Sequence, residues 1–588
     1  MKILPSAIRH LAFRAIALLL AAAFATPSFA QQPFDPVATN RATVDPGTKP
    51  VLAPNGMVSS QEALATRIGV EILDKGGNAV DAAVAVGFAL AVTLPRAGNL
   101  GGGGFFVIWL AEAKQSIAID FREVAPAAIR RDSFLGANGK PDPHKSLHTG
   151  LATGVPGTVA GLALALEKYG SGRFTLTDLL APAIKLANEG VPLENDLAIS
   201  ITRYQQLLGR WPSSQKVFFR DGKPLQRGDR LVQRDLAATL QAIAEKGPEA
   251  FYRGVIAERI ARAVQDAGGV MTVEDLANYR ADIRETVRGT YRGYDIVSMP
   301  PPSSGGGLLI QILNILEGFD LRKMGRDSPD TIHVMVEAMK RAFADRAEFF
   351  GDPDYVKVPL TTLLSKEYAE KLRAGIDLKI ATPSEKIRAG AAPKQGGDNT
   401  THYSVVDRDG NAVAATVTLN FSYGLGLVAE GTGVLLNNEM DDFALAPGVP
   451  NAYGLVGGEA NAPGPNKKPL SSMTPTILVK DGKAFLVTGS PGGSRIITTV
   501  LRVVTGVVDF DLDIAQAIAL PRFHHQWQPD VLSTEPGLPD RVLRILRERG
   551  HNVQIGTGTG SANSILRVQE GWSGAADRRY LGALAGGY

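Results

Sequence analysis

The 588-residue chain contains no cysteine. Disulfides, a catalytic thiol and thiolate-held zinc or iron–sulfur clusters are therefore excluded. It also lacks an excess of either charge: 62 basic residues stand against 59 acidic ones, and no run of like charge is long enough to form a nucleic-acid arm. No apolar run reaches the roughly 20 residues that span a bilayer. There is no Gly-x-x-x-x-Gly-Lys-Ser/Thr phosphate loop, and the glycine runs lack the strand-to-helix context of a dinucleotide site, so no nucleotide cofactor is expected. Nor is there a His-Glu-x-x-His pattern. The adjacent His524 and His525 would point different ways on a regular element, so hydrogen bonding or packing is expected of them and no metal. The other histidines are too scattered for a Ser-His-Asp triad to be assembled by spacing.

What is present is a globular composition, 44% apolar and 21% charged, with glycine at 64 positions. At roughly 150 residues per domain the length suggests about four units, unless one large sandwich absorbs it. The first thirty residues have the pattern of an export signal. Lys2, Arg9 and Arg14 precede an apolar stretch from Ala15 to Ala25, and Ser28-Phe29-Ala30 supplies small residues for cleavage after Ala30. Its removal leaves 59 basic and 59 acidic residues. With no bulk charge to attract lipid or nucleic acid, the expected partner is a small molecule held by local groups. The expected location is secreted, in the periplasm, with no membrane anchor left after cleavage.

Several elements are legible. Ser59 and Glu62 have capping-box spacing before a helix carrying Leu64, Ile68 and Ile72, which Gly76 ends. Asn78 is placed to cap a second, Ala/Val-rich helix through Leu94 that belongs inside the fold. Gly101 to Gly104 leads into strands at Phe105 to Leu110 and Ser116 to Phe121. Ser328 and Pro329 start a helix that Gly351 stops. From Ala381 to Asn399 the composition shifts to that of a solvated, mobile segment. Hairpins follow around Arg408-Asp409-Gly410 and Asp481-Gly482, with helices at Ser494 to Val507, Leu512 to Leu520 and Pro539 to Arg549. Strands with helices grouped around them indicate an α+β fold of stacked sheets covered by helices.

The remaining chemical signal is Asn399-Thr400-Thr401-His402-Tyr403-Ser404, a threonine pair where the mobile segment meets a strand. Threonine favours strands, so a plain strand start is one reading. The other is a nucleophile. A threonine hydroxyl needs a base, and the residue's own α-amino group is one if the bond after Asn399 is cut. Self-processing is the condition of that reading.

Thr400 to Asp407, Pro469-Leu470-Ser471-Ser472-Met473 and Thr488-Gly489-Ser490-Pro491-Gly492-Gly493-Ser494 resemble the small subunit of γ-glutamyltransferases (γ-glutamyl transpeptidases). Asp120-Phe121-Arg122-Glu123-Val124-Ala125-Pro126 and Met299 to Gly306 resemble the large subunit. The similarity runs from about Ala53 to the C-terminus. It implies an N-terminal-nucleophile hydrolase: a four-layer αββα sandwich built jointly by two self-cleaved chains, residues 31–399 and 400–588, forming a heterodimer after the signal peptide 1–30. Thr400 would attack first the carbonyl of Asn399 and then the γ-glutamyl carbonyl of the donor, Thr418 would support it, and the N–H groups of Gly492 and Gly493 would hold the oxyanion. Arg122, Ser471 and Ser472 match the binders of the donor's α-carboxylate, and Asn420, Glu439 and Asp442 those of its α-amino group. Position 439 is Gln or Glu among such proteins, and several bacterial relatives have Gln where this chain has Asn399.

The stretch Asp442 to Gly454, with Pro447, Gly448, Pro450 and Tyr453, resembles the family's lid loop. Deleting 444–449 is expected to alter the ratio of hydrolysis to transfer. The implied activity is that of a γ-glutamyltransferase and glutathione hydrolase. It would pass the γ-glutamyl group of glutathione or related donors to water, amino acids or peptides, with no cofactor. The alternatives are a glutaryl- or cephalosporin-type acylase of the same superfamily, and an inactive periplasmic solute-binding protein.

Overall fold

A computed structural model describes residues 49–387, 400–556 and 560–588. The expected export signal and Asn399 lie outside these described residues. Among them, no helix is long and apolar enough to cross a membrane.

Two seven-stranded sheets organise the chain. One runs Leu584–Gly587, Met57–Ser60, Thr400–Val406, Ala412–Thr418, Gly103–Leu110, Gln115–Phe121 and Asp282–Arg284 in spatial order. The other runs Val51–Ala53, Gly571–Ala575, Ser564–Val568, Lys483–Thr488, Thr476–Lys480, Tyr294–Ser298 and Val287–Tyr291. All pairings within both are antiparallel. Each sheet combines strands from before and after residue 400, so neither portion of the sequence completes a sheet alone.

Strand alternation builds the layers. Along Gly103–Leu110, Phe106 and Ile108 face a helical layer that includes α1 (Ala63–Asp74) and α2 (Ala79–Thr93). Phe105, Val107 and Trp109 instead join a core with Ile477, Leu486 and Ile565 of the second sheet. That core continues into α3 (Gly305–Leu316), α4 (Pro329–Phe349) and α5 (Arg495–Val508). The order is helices, sheet, sheet, helices, as a period of two requires of strands buried on both faces. Every residue of α2 is buried, and Asn78 caps it in a capping box with Asp81, in line with its all-round apolar pattern.

Two local expectations need correction. Ser59 ends up inside the strand Met57–Ser60, and Glu62 itself caps α1, its carboxylate accepting from the N–H groups of Leu64 and Ala65. The Ser-x-x-Glu spacing is present, but strand pairing claims the serine. The segment expected to be solvated is tied down in its described part. The Trp527 indole donates to the carbonyls of Ser384 and Ile387, and Asp530 accepts from the Ser384 N–H. These partners lie some 140 residues onward, beyond the reach of local composition.

The sheets approach closely beside Gly489. A Cβ there would stand 2.3 Å from the ring of His402, which is fully buried. Gly489→Ala should therefore destabilise the protein by about 1–3 kcal/mol through overpacking. A thermal or urea midpoint equal to that of the wild type would contradict this packing.

Candidate active site

Register places the threonines. The turn from Asp407 to Asn411 is fixed by the Asp407 carboxylate, which accepts from the N–H groups of Asp409 and Asn411, with Gly410 at φ 87°. From that turn the hairpin pairs residue by residue until Thr400 lies directly opposite Thr418. Successive strand residues face opposite ways. Thr400 lines a cleft between the sheets, whereas Thr401 is not among its lining residues. The Thr400 hydroxyl donates to Thr418 Oγ1 over 3.4 Å, and Thr418 Oγ1 also accepts from the Asn420 N–H at 2.8 Å. Asn420 holds φ 73°, a left-handed conformation that a short amide side chain tolerates.

The cleft encloses about 280 Å³, open solvent included. Arg122, Thr400, Thr418, Asn420, Glu439, Asp442, Tyr453, Ser471, Ser472 and Gly493 all line it, so the structure brings together nearly every expected site residue. Gly492 is set just behind Gly493, with φ angles of 140° and 52° respectively, both in the region that favours glycine. Neither N–H donates to a described residue. Both precede the first turn of α5, whose positive end favours an oxyanion.

The two expected poles are linked. Arg122 donates to Glu439 Oε1 at 2.5 Å, to Asp442 Oδ2 at 2.6 Å and to the Pro469 carbonyl at 3.0 Å, with Glu123 3.6 Å away. Three carboxylates thus surround one buried guanidinium. Burial pushes the pKa values of Glu123, Glu439 and Asp442 up, against the pull of Arg122. Burial alone would lower Arg122, but Glu439, Asp442 and Glu123 hold it well above its ordinary value.

Among the residues that line the cleft, two acceptors stay open. The Asn420 amide donates to the Asn438 carbonyl, leaving Asn420 Oδ1 without a partner, and Glu439 Oε2 likewise has none. Opposite them, Ser471 Oγ accepts from the Met473 N–H and Ser472 Oγ from Arg346. The serines' own hydroxyl protons thereby remain as donors. A splint holds this turn: Ser304 N–H and Oγ donate to the Ser471 carbonyl, and Ser471 N–H to Pro302.

The segment expected as a lid contributes Asp442 and Tyr453 to the cleft lining. Tyr453 stacks on Phe421, with ring centroids 4.9 Å apart at 6°, and its hydroxyl donates to the Asn420 carbonyl at 2.8 Å. Asp441, pushed up to about 7 by burial despite its bond from Ser146, accepts from the Ala452 N–H. Among the described residues, no histidine lines the cleft. His402, pushed down to about 3 by burial, bonds to Thr416 and Ser404; His524 bonds to Thr498 and Gln526, and His525 to Asp530.

A sequence model described as Gamma-glutamyltranspeptidase matches residues 65–587. The chain belongs to this family. It is 54% identical over 541 residues to the glutathione hydrolase proenzyme of Escherichia coli (strain K12), covering 92% of this chain and 93% of that protein. Among solved structures, cephalosporin acylase from Bacillus halodurans superposes with a TM-score of 0.80 at 28% identity, over 93% of this chain and 99% of that one. A Helicobacter pylori gamma-glutamyltranspeptidase chain gives 0.55 at 46% identity, over 58% of this chain and 97% of that one. The chain is therefore an enzyme of the gamma-glutamyltranspeptidase family, with an α+β fold of the N-terminal-nucleophile hydrolase type.

Sequence reasoning missed Glu123, Asp441 and Phe421 as parts of this site. Glu123 lies within the quoted Asp120-to-Pro126 motif, but nothing local shows that Glu439 and Asp442 will close on the same arginine. A raised carboxyl pKa delays ionisation to higher pH, and a cationic ligand pairs only with the ionised form. The KM for a donor carrying an ammonium should therefore rise as pH falls from about 8 to about 5. A KM that stays flat across that interval in initial-rate measurements would contradict the arrangement.

Proposed function

We propose that the protein is an exported γ-glutamyltransferase and glutathione hydrolase that matures by cutting itself between Asn399 and Thr400. The single observation that carries the donor assignment is the pair of complementary open valences beside Thr400. Asn420 Oδ1 and Glu439 Oε2 lack donors on one side, and the Ser471 and Ser472 hydroxyls lack acceptors on the other. An α-amino acid head group, with one ammonium and one carboxylate, satisfies both, and Asp442 adds charge at the ammonium.

Maturation and turnover use the same hydroxyl. Thr400 Oγ1 attacks the Asn399 carbonyl, the peptide C–N bond breaks to leave an ester and a free Thr400 amine, and water then hydrolyses that ester, giving the Asn399 carboxylate and restoring the Thr400 hydroxyl. In turnover that amine takes the hydroxyl proton as Oγ1 attacks the γ-glutamyl carbonyl. The N–H groups of Gly492 and Gly493 hold the resulting oxyanion. The proton then goes to the departing amine, and the γ-glutamyl ester passes to water or to the amine of an amino acid or peptide. Thr418 holds the hydroxyl in line, and the Tyr453 loop restricts water while the ester waits. The mature form is a heterodimer of residues 31–399 and 400–588 sharing one four-layer sandwich, located in the periplasm after removal of 1–30.

The likeness to a cephalosporin acylase over 93% of this chain supports a second reading, a glutaryl- or cephalosporin-type acylase. A glutaryl group carries no ammonium, and it would leave Asn420 Oδ1, Glu439 and Asp442 uncompensated. An anilide panel separates the readings. The γ-glutamyl anilide should exceed the glutaryl anilide in kcat/KM by at least about tenfold, from the loss of charge-assisted bonds. Asp442→Ala should erase most of that preference. Equal rates with both anilides would favour the acylase, and no turnover of either an inactive binding protein.

A further inference from the structure

The turn that carries the expected oxyanion donors is tied to a glutamine 32 residues onward. Ser494 follows Gly492 and Gly493 and stands immediately before the first residue of α5. A serine in that position normally turns its oxygen to the helix's own N–H groups, yet this one makes no such bond. Its hydroxyl donates instead to Gln526 Oε1 at 2.6 Å.

Three bonds use the half-buried Gln526 side chain. Oε1 accepts from Ser494 Oγ and from His524 Nε2, the latter at 2.9 Å, and Nε2 donates to the Tyr453 carbonyl at 3.2 Å. A carbonyl only accepts, so the amide nitrogen faces Tyr453 and the amide oxygen faces the other two. Burial, with Arg495 nearby, pushes the His524 pKa well below its ordinary value. The ring is therefore neutral, its Nε2–H serves Gln526, and Nδ1 lies 3.0 Å from Thr498 Oγ1 on α5. The next residue is held as well: Trp527, at φ 67°, donates its N–H to His525 Nδ1 and its indole N–H to the Ser384 and Ile387 carbonyls. Gln526 does not line the cleft, whereas Tyr453 and Gly493 do. One side chain thus joins two parts of the cleft wall from outside the lining.

We propose that Gln526 is a positioning residue that ties the Tyr453 segment to the oxyanion turn through Ser494, and so sets how the γ-glutamyl ester divides between water and an acceptor amine. This deepens the transferase reading and rests on it. Tyr453 is fixed to its surroundings by its ring on Phe421, its hydroxyl on the Asn420 carbonyl and its own carbonyl on Gln526. The first two hold the side chain, and the third ties its backbone to the opposite part of the wall. Loss of that tie lets the backbone shift away from Gly493. The gap then admits water, the smaller nucleophile, more readily than it helps a dipeptide.

The test compares wild type, Gln526→Glu and Gln526→Met, each confirmed by mass as processed. The donor is γ-glutamyl-p-nitroanilide and the acceptor glycylglycine at one fixed concentration, with free glutamate and γ-glutamyl-glycylglycine quantified from the same reaction. Gln526→Glu still accepts from Ser494 and His524 but sets an oxygen against the Tyr453 carbonyl, whereas Gln526→Met loses all three bonds. Both should raise the ratio of glutamate to transfer product about threefold or more, the scale of one hydrogen bond. That ratio is read on the ester after acylation, so a smaller amount of active protein or a slower acylation leaves it where it was. If Gln526→Met yields no folded protein, the glutamate variant, which has the same shape, gives the same readout. A ratio equal to or below that of the wild type in a processed variant, with or without a fall in total rate, overturns the proposal. A wild type that forms no γ-glutamyl-glycylglycine would instead contradict the transferase reading itself.

Discussion

The register of one hairpin governs the site. Pairing of Thr400–Val406 with Ala412–Thr418, set by the Asp407 turn, puts Thr400 opposite Thr418 and aims its side chain into the cleft. A slip of one residue would turn Thr401 inward and exchange every side chain between the two faces of a strand buried on both. Such a slip would drive Tyr403 and Val405, now packed against the helical layer, into the space between the sheets. The packing that holds the fold is thus also what decides which residue of the threonine pair lines the cleft. Strand neighbours from far earlier in the chain, Met57–Ser60 and Gly103–Leu110, lock the hairpin on both sides. A backbone cut before Thr400 would leave that scaffold intact.

Around this fixed point the electrostatics are arranged in excess. Three buried carboxylates share Arg122, and a second buried arginine lies behind the serine turn without an ion-pair partner. Burial pushes the pKa values of the three acids up and that of the second guanidinium down, so each group bears a cost of being charged where it stands. A zwitterionic head group resolves both conditions at once. It offers an ammonium to the acids and a carboxylate to the serine hydroxyls, so part of the cost of burying these charges is offset only on binding. Such a site discriminates strongly against ligands missing either charge, because the unmet partner stays buried.

Much of this architecture is legible from the sequence because its signals are local. Asn78 and Ser328 cap the helices they are expected to cap, and Gly410 and Gly482 mark hairpins whose strands pair as the alternation requires. The motifs around Arg122, Thr400, Ser471 and Gly492 converge on one cleft. What escapes the sequence is contact between distant segments. Ser59 has the spacing of a cap but is claimed by pairing with Ser404. Residues 381–387 read as solvated, yet bond to Trp527 and Asp530. Arg346 sits in an ordinary helical pattern that gives no hint of the serines above it. For the same reason nothing in the sequence shows that Arg122, expected at one pole, bonds directly to Glu439 and Asp442, expected at the other.

The central claim is that the catalytic residue creates its own base by cutting the chain that carries it. Intact mass measurement of the purified wild type beside Thr400→Ala tests this most directly. The wild type should resolve into two chains, the smaller beginning at Thr400, whereas the alanine variant should run as one uncut chain without γ-glutamyl transfer activity. An uncut wild type that turns over a γ-glutamyl donor, or an alanine variant that still cleaves before residue 400, would contradict the account.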